Sequence, residues 1–418
     1  MRRTTRAAVG LSLATTIVLT GCSTKASDSS SGADGDLKTD IGVTDTEINL
    51  LQIEDLSGVF RVQSLAYTFG TKIWAEEVNA AGGICDRDIV LNVKDSAYKA
   101  DLAVSLYEAE KNNNVGMVSL VGSPMLAALK TKLATDNMLT VPGSWASNNM
   151  DSDAIMMIGP TYDIEMINGL AYAAEQGLIA DGDKIGHIYV DSEFGQGGLM
   201  GSKAYAKNHD IEVVEAKVSA SDTDMTATIT KLKADGIKLI ALSVPPAATG
   251  SVAIQNQVQD LNVPIVGNNP TYAPTLLSDP SVEAGLENFY LAHSTAPVSA
   301  DIPKAKELLE KYEGMTEDPP NIGVNMAYVW GLTYGEVLKT ACENGDMTRE
   351  GLIEARKQVT EVTSDGLQGD QDLSDPGAPS TREVYILKSD GSVPGSLTAV
   401  SDLYTSEDAT SYKTPFQK

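Results

Sequence analysis

Apolar and β-branched residues occur along the chain in short runs, separated by longer segments with helical spacing. The runs predict two series of four strands, beginning near Ile48, Ile89, Val115 and Leu139 and near Ile185, Glu212, Leu239 and Val263. This alternation is typical of parallel sheets with crossover helices. It predicts an α/β fold built from two similar units.

Helices are predicted between these strands, over residues 68–81, 100–112, 125–136, 164–176, 197–208, 225–235 and 249–260. Three more are predicted after Pro303, over residues 304–313, 324–343 and 349–358. The helix at 324–343 has apolar residues three and four positions apart, which predicts a face packed in the core. Residues 365–380 are predicted to form a loop, and residues 382–387 a last strand.

The first residues predict export. Three arginines precede a 14-residue apolar segment, Ala7 to Thr20, which is too short to cross a bilayer core of about 30 Å. The following Leu19-Thr20-Gly21-Cys22 resembles a bacterial lipobox, in which the cysteine is acylated. The resemblance implies a signal peptide at residues 1–21 and a lipid anchor at Cys22, on the extracytoplasmic face of the cell membrane. An ordinary signal peptide with an incidental cysteine is the alternative.

Residues 22–36 are rich in Ser, Asp and Gly and carry no large apolar side chain, so we expect a flexible linker. The remaining chain is longer than one ordinary core requires, which favours two domains. The formal net charge is −26, and loss of residues 1–21 removes three positive charges and makes it −29. A chain this acidic is not expected to bind nucleic acid or an anionic membrane surface.

The chain has three cysteines. With Cys22 assigned to lipid, Cys85 and Cys342 remain, and an even pair in an exported chain predicts a disulfide, with two separately buried thiols as the alternative. No CxxC pair is present and the three histidines lie far apart in sequence, so no zinc site is predicted.

Sequence motifs for catalysis are absent. The chain has no nucleophile elbow and no phosphate-binding loop that ends in Gly-Lys-Ser/Thr. The segment Gly195 to Gly201 comes closest to a dinucleotide fingerprint, but its third glycine falls one residue late, and Asp191 and Glu193 would repel a pyrophosphate. A tight turn between strand and helix is the simpler interpretation. We expect a binding protein rather than an enzyme, with no cofactor.

Several segments together resemble the solute-binding proteins of the branched-chain amino acid type that serve ABC importers. These are Ser57-Gly58, EEVNAAGG at 76–83, IVLNVKD at 89–95, VGSP at 121–124, Val141-Pro142, FGQG at 194–197 and AYVWG around Tyr328. No single segment is specific, but their order and spacing match the family over nearly the whole mature chain.

The resemblance implies the fold of a type I periplasmic binding protein. In this fold two Rossmann-like lobes with parallel sheets are joined by a hinge of three chain crossings, and a solute binds between the lobes. On this sequence, lobe one would be residues 40–158 and 295–362, and lobe two 159–294 and 363–402. Residues 403–418 would form a C-terminal tail. Closure around the ligand would be a hinge motion.

The resemblance also implies which residues form the ligand pocket. Those expected from lobe one are Ser57, Phe60, Arg61, Gln63, Ser123, Met125, Leu126, Gly143, Ser144 and Trp145. Those expected from lobe two are Phe194, Pro245, Ala247, Asn269 and Tyr272. All lie in or beside loops that follow strands, where ligands bind in open α/β sheets.

Three departures from the family pattern argue against a zwitterionic amino acid. Met125 and Leu126 stand where a hydroxyl group commonly holds the α-carboxylate, and Trp145 stands where the family commonly has Thr or Ser. Asn269 lies near the position of the carboxylate that often meets the ligand ammonium. Arg61 could instead bind an anionic group, or could be a solvated loop residue. Trp145, Phe194 and Tyr272 could stack on an apolar ligand or form ordinary core.

We therefore expect a monomeric, lipid-anchored receptor that delivers a small organic solute to an ABC permease. The candidate solutes are amino acid derivatives, amides and aromatic or aliphatic carboxylates. A sensor with the same fold but no role in transport is the alternative, and a dinucleotide-binding enzyme is a distant one.

Overall fold

Two sheets form the centre of the protein in the computed structural model, which describes residues 37–418. In chain order, the strands along these residues are β1 (Lys38–Thr39), β2 (Glu47–Glu54), β3 (Asp88–Asp95), β4 (Gly116–Val121), β5 (Thr140–Gly143), β6 (Lys184–Val190), β7 (Glu212–Val218), β8 (Leu239–Ser243), β9 (Ile265–Asn268), β10 (Phe289–His293), β11 (Asp346–Met347), β12 (Tyr385–Ser389) and β13 (Leu397–Ala399). All eight strands predicted in the two series are confirmed.

The helices along the same residues are α1 (Arg61–Ala80), α2 (Ala100–Glu110), α3 (Ser123–Thr135), α4 (Tyr162–Glu175), α5 (Glu193–Asn208), α6 (Thr226–Asp235), α7 (Pro246–Val258), α8 (Pro280–Gly285), α9 (Pro303–Met315), α10 (Gly323–Glu343), α11 (Arg349–Arg356) and α12 (Glu407–Ser411). The ten predicted helices are confirmed. However, α1 begins seven residues before its predicted start, and the short helices α8 and α12 are not predicted.

The first sheet has the strand order β3-β2-β4-β5 and is parallel throughout. Successive side chains of β2 point to opposite faces of the sheet, and both faces are buried. Ile48 and Leu50 belong to the core that includes α1 and α10, whereas Leu51 and Ile53 pack with residues of α2 and α3. Helices on both faces explain why this strand has an almost continuous apolar sequence.

The second sheet has the order β13-β12-β10-β9-β8-β6-β7. Its pairings are parallel from β7 through β10, whereas β12 pairs antiparallel with both β10 and β13. The sheet is therefore larger than the predicted four strands. β10 is the main addition, and its sequence FYLAH interrupts the apolar run with a partly exposed Tyr290 and with His293.

Three chain segments run side by side where the resemblance places the crossings between lobes. The Gly159 amide donates to Ser380 Oγ at 2.8 Å and to Gln371 Oε1 at 3.1 Å. Gln368 Nε2 donates to Thr295 Oγ1 at 2.6 Å. These buried hydrogen bonds join the first, second and third crossings to one another.

Glycines of the fingerprint-like segment allow close packing rather than nucleotide binding. Gly195 to Gly201 lies inside α5, and a Cβ atom added at Gly201 would collide with the backbone of Asp163 in α4. At Gly198 it would collide with the Ser243 hydroxyl group at the end of β8. Gly201 and Gly198 thus serve contacts of α5 with α4 and β8. Gly195 serves the tight turn between strand and helix that the sequence suggests, since a Cβ atom there would collide with the backbone of Val190 at the end of β6.

The expected C-terminal tail, residues 403–418, packs on the second lobe. Ala409 of α12 is buried in the cluster that includes Ile164 and Leu170 of α4, and the Tyr412 hydroxyl group donates to Asp163 Oδ2 at 2.9 Å. Along residues 37–418, no helix combines the length and apolar character needed to cross a membrane. The predicted signal peptide, Cys22 and the linker lie outside the described residues.

A disulfide joins Cys85, shortly after α1, to Cys342 in the last turn of α10, with Cα atoms 6.0 Å apart. α1 and α10 pack against each other, so the bridge connects two elements that are already neighbours. The loop that it closes spans 257 residues.

We predict that replacing both Cys85 and Cys342 by Ser lowers the free energy of unfolding by about 2–5 kcal/mol, because the unfolded chain loses a long-range constraint. Denaturant unfolding of both proteins, with and without reductant, measures the effect. The double variant serves as the control, since reductant should not change its stability. Two free thiols in the purified wild-type protein would contradict the bridge.

Candidate functional site

A small cavity, lined mostly by buried residues, lies between the two sheets, at the carboxyl ends of their strands. Its lining residues are Phe60, Gln63, Tyr67, Tyr98, Val121, Gly122, Ser123, Gly143, Trp145, Tyr162, Phe194 and Pro270. Loops after β2, β3, β4 and β5 contribute from one side, whereas α4, α5 and the loop after β9 contribute from the other. The free space is about 20 Å³, which is room for about one water molecule.

Aromatic rings fill most of the space between the two sides. Tyr162 stacks obliquely on Phe194 with ring centroids 5.0 Å apart and meets Trp145 edge-on at 5.9 Å. On the side of the first sheet, Phe60 contacts Tyr98 at 5.0 Å. These distances are within the range of favourable aromatic pairs. The cavity is therefore closed by apolar contacts between rings from both sides.

The loop after β2 is held in place by two carboxylates. Asp55 accepts hydrogen bonds from the amides of Gly58 at 2.6 Å and Phe60 at 2.8 Å. Asp95, at the end of β3, accepts from the Ser57 hydroxyl group at 2.7 Å and from the Leu56 amide at 2.9 Å. The Phe60 ring is thus placed by a preformed loop, and Ser57 is directed to Asp95.

Six of the fifteen residues predicted for the pocket line the cavity: Phe60, Gln63, Ser123, Gly143, Trp145 and Phe194. Nine do not: Ser57, Arg61, Met125, Leu126, Ser144, Pro245, Ala247, Asn269 and Tyr272. Two of these nine, Met125 and Leu126, point into the core of the first lobe, where they pack with Leu51 and Met117. The Ser144 hydroxyl group is 2.7 Å from that of Ser123 and lies behind it.

The other predicted pocket residues that do not line the cavity lie in different parts of the structure. Pro245 is buried immediately before α7, and Ala247 is exposed in the first turn of that helix. Asn269 is buried, and its backbone amide donates a hydrogen bond to Glu165 Oε2 at 3.1 Å. The Tyr272 hydroxyl group donates to the Ser396 carbonyl oxygen at 2.7 Å. Arg61, the first residue of α1, is exposed to solvent.

Tyr67, Tyr98, Tyr162 and Pro270 also line the cavity and were not predicted. Tyr67 is missed because the predicted helix begins at residue 68, whereas α1 begins at Arg61. Tyr98 follows the predicted strand that ends at Asp95, so the rule that parallel strands present their carboxyl ends at one edge could have found it. Nothing comparable in the sequence points to Tyr162.

Comparison with known proteins identifies the family. A family profile described as "Periplasmic binding protein" matches residues 47–393, which is most of the chain. The chain belongs to the periplasmic binding protein family. The type I, branched-chain amino acid type that the sequence suggested is confirmed. A search of curated proteins found no match.

Solved structures of other periplasmic binding proteins resemble this one closely. A fatty acid ABC transporter substrate-binding protein from Thermomonospora curvata is 36% identical, with a TM-score of 0.87 over 91% of this chain and 97% of that chain. A branched-chain amino acid ABC transporter protein from Thermus thermophilus, solved with bound valine, is 16% identical, with a TM-score of 0.76 over 88% and 98%. A leucine-binding protein from Thermotoga maritima MSB8 is 14% identical, with a TM-score of 0.73 over 86% and 99%. The last two show the shared fold alone.

Buried acidic groups surround the cavity of this periplasmic binding protein. Glu54 ends β2 and is fully buried, and neither of its carboxyl oxygens has a hydrogen-bond partner among the described residues. Burial raises the pKa of Glu54 to about 8, although the nearby hydroxyl groups of Ser119 and Ser64 lower it. Burial likewise raises the pKa of Glu165. Glu54 is therefore mainly protonated at neutral pH.

We predict that Glu54→Gln flattens the pH dependence of stability. The pKa of Glu54 is about 8 in the folded protein and 4.5 in the unfolded chain, so its contribution to stability is complete below pH 4.5 and is lost as the pH rises to about 8. At pH 8 the neutral variant should be more stable than wild type by about 4 kcal/mol. Denaturant unfolding between pH 5 and about 8.5 measures this.

The matched control is Glu287→Gln, because Glu287 is exposed and should not change the slope. Identical pH profiles for wild type and Glu54→Gln would show that Glu54 is ionised in the folded protein.

Proposed function

We propose that this periplasmic binding protein is the lipid-anchored, monomeric receptor of an ABC importer, and that it binds a solute with an apolar body and one carboxylate. The family carries the general role of solute binding and partnership with a permease. The observation that supports the apolar solute is the cavity lining, in which six aromatic rings and no charged side chain are present. Such lining recognises apolar shape rather than an ammonium group.

The neighbour from Thermomonospora curvata supports the same class of solute, since it is a fatty acid ABC transporter substrate-binding protein and is 36% identical. By contrast, the head group of a free amino acid would find neither an acidic nor a basic side chain in the cavity lining. Burying an unpaired charge costs several kcal/mol. Long-chain and aromatic carboxylates are therefore better candidates than leucine, isoleucine or valine.

Binding requires the lobes to open. The free space of about 20 Å³ is far below the range of about 300–1,000 Å³ for ligand pockets, so the structure has the proportions of a closed state. Hinge motion at the three crossings would separate Tyr162 and Phe194 from Phe60 and Tyr98. A sensor would need the same motion, and neighbouring genes for a permease and an ATPase would favour transport.

We predict that Cys22→Ser releases the protein from the membrane fraction, because acylation of Cys22 would be its attachment. Fractionation of cells that express either protein, with intact mass of the mature N-terminus, measures the outcome. Cys85→Ser is the control and should remain in the membrane fraction. Membrane retention of Cys22→Ser, or an unacylated wild-type N-terminus, would contradict the lipoprotein assignment.

A second prediction concerns the solute. In calorimetry with the full chain carrying Cys22→Ser, dodecanoic acid should bind, whereas leucine, isoleucine and valine should bind at least about tenfold more weakly. Phe194→Ala should weaken binding of the acid about tenfold, since it removes one aromatic wall. Phe416→Ala, an exposed ring distant from the cavity lining, should leave binding unchanged. Tight binding of valine, unchanged in Phe194→Ala, would contradict the apolar site.

A further inference from the structure

A groove of about 410 Å³ lies next to the small cavity. Arg61, Val62 and Leu65 of α1 form one wall, and Pro274 and Ser396 contribute from the other lobe. Its volume lies within the range of about 300–1,000 Å³ found for ligand pockets, whereas the small cavity has room for about one water. The groove therefore has the space that the cavity lacks.

Hydrogen bonds through Tyr272 link a residue of the cavity lining to a residue of the groove. Gln63, which lines the cavity, donates from Nε2 to the Tyr272 carbonyl oxygen at 3.1 Å. The Tyr272 hydroxyl group donates to the carbonyl oxygen of Ser396, which lines the groove. The first contact joins α1 to the loop after β9, and the second joins that loop to the Pro394–Ser396 turn. Rotation of Gln63 away from Tyr272 would connect the two spaces.

Charge differs between the two spaces. Arg61 is exposed in the groove, and within residues 37–418 its guanidinium group has no hydrogen-bond or ion-pair partner. The cavity lining contains neither a basic nor an acidic side chain, so it offers an anion no ion pair. An anion would therefore be more stable beside Arg61 than among the aromatic rings.

We propose that the groove is the outer half of the ligand site and that Arg61 binds the carboxylate of a long-chain monocarboxylic acid. The chain of the acid passes Gln63 and its methyl end lies among Tyr162, Phe194 and Trp145. The solute is bound with its head outward and its tail inward. This inference rests on the proposed function and deepens it by naming the solute class, the orientation and the anion-binding residue.

Asp318 is the second charged residue of the groove. Its carboxylate is exposed and would repel the carboxylate of the solute. Because the groove is open to solvent, salt screens this repulsion, and it should weaken binding only about twofold to threefold. Arg61 should therefore strengthen binding of the carboxylate, whereas Asp318 should weaken it.

The test compares dodecanoic acid with dodecan-1-ol, by calorimetry with the full chain carrying Cys22→Ser. Arg61→Gln should weaken binding of the acid about tenfold and leave the alcohol within about twofold, since only the acid carries a charge. Asp318→Asn should strengthen binding of the acid alone. Lys72→Gln is the control, because Lys72 lies on the same helix, pairs with Glu76 and lines neither space.

Ser123→Ala tests the orientation of the solute. Ser123 is the first residue of α3, lines the inner cavity and carries a hydroxyl group that could bind a carboxylate there. If Ser123→Ala binds the acid as wild type does, the outward orientation of the carboxylate is supported. If Ser123→Ala loses affinity for the acid and Arg61→Gln does not, the carboxylate points inward and the proposed orientation is wrong. Equal binding of the acid to wild type and Arg61→Gln overturns the inference and leaves the proposed function intact. Absence of binding for both dodecyl compounds overturns the two together.

Discussion

The hydrogen bonds among the three chain crossings are the constraint on which the site depends. A cavity between two sheets keeps its shape only if the segments that connect them are held together, and here the Gly159 amide is bound by Gln371 and Ser380. Gln368 ties the same cluster to Thr295. These groups are buried, so leaving one unpaired would cost about 1–3 kcal/mol. The cluster thus holds the three connecting segments to one another.

Closure at that hinge brings together apolar rings rather than ion pairs. Tyr162 and Phe194 lie on one side of the cavity and Phe60 and Tyr98 on the other. Such surfaces lose water readily and impose few directional requirements, so the site can select a solute by its length and cross-section. Because burial raises the pKa of Glu54 to about 8, this side chain adds little buried negative charge at neutral pH. Apolar recognition and a mainly neutral Glu54 are therefore consistent with each other.

Most of the fold could be predicted from the sequence, because each buried strand leaves an apolar run and each crossover helix a periodic one. What could not be predicted depends on tertiary contacts. β10 pairs with β9 and β12, and only this pairing places its Tyr290 and His293 in a sheet. In the site, loops after predicted strands led to Phe60, Ser123 and Trp145. The place of Tyr162, the first residue of α4, in the lining and the inward direction of Met125 and Leu126 depend on helix packing, which no local pattern records.

A net charge of −26 sets a problem for a receptor of anions. The field of the whole molecule repels a carboxylate at long range, so capture depends on local attraction and on apolar burial. The charge and the apolar surface belong to the two neighbouring spaces. Arg61 lines the groove, and the aromatic rings line the cavity together with Gln63. At an ionic strength near 0.15 M the repulsion is screened beyond about 8 Å, whereas Arg61 acts at contact distance. In the proposed binding mode, Arg61 would orient the solute and the apolar chain would supply most of the affinity.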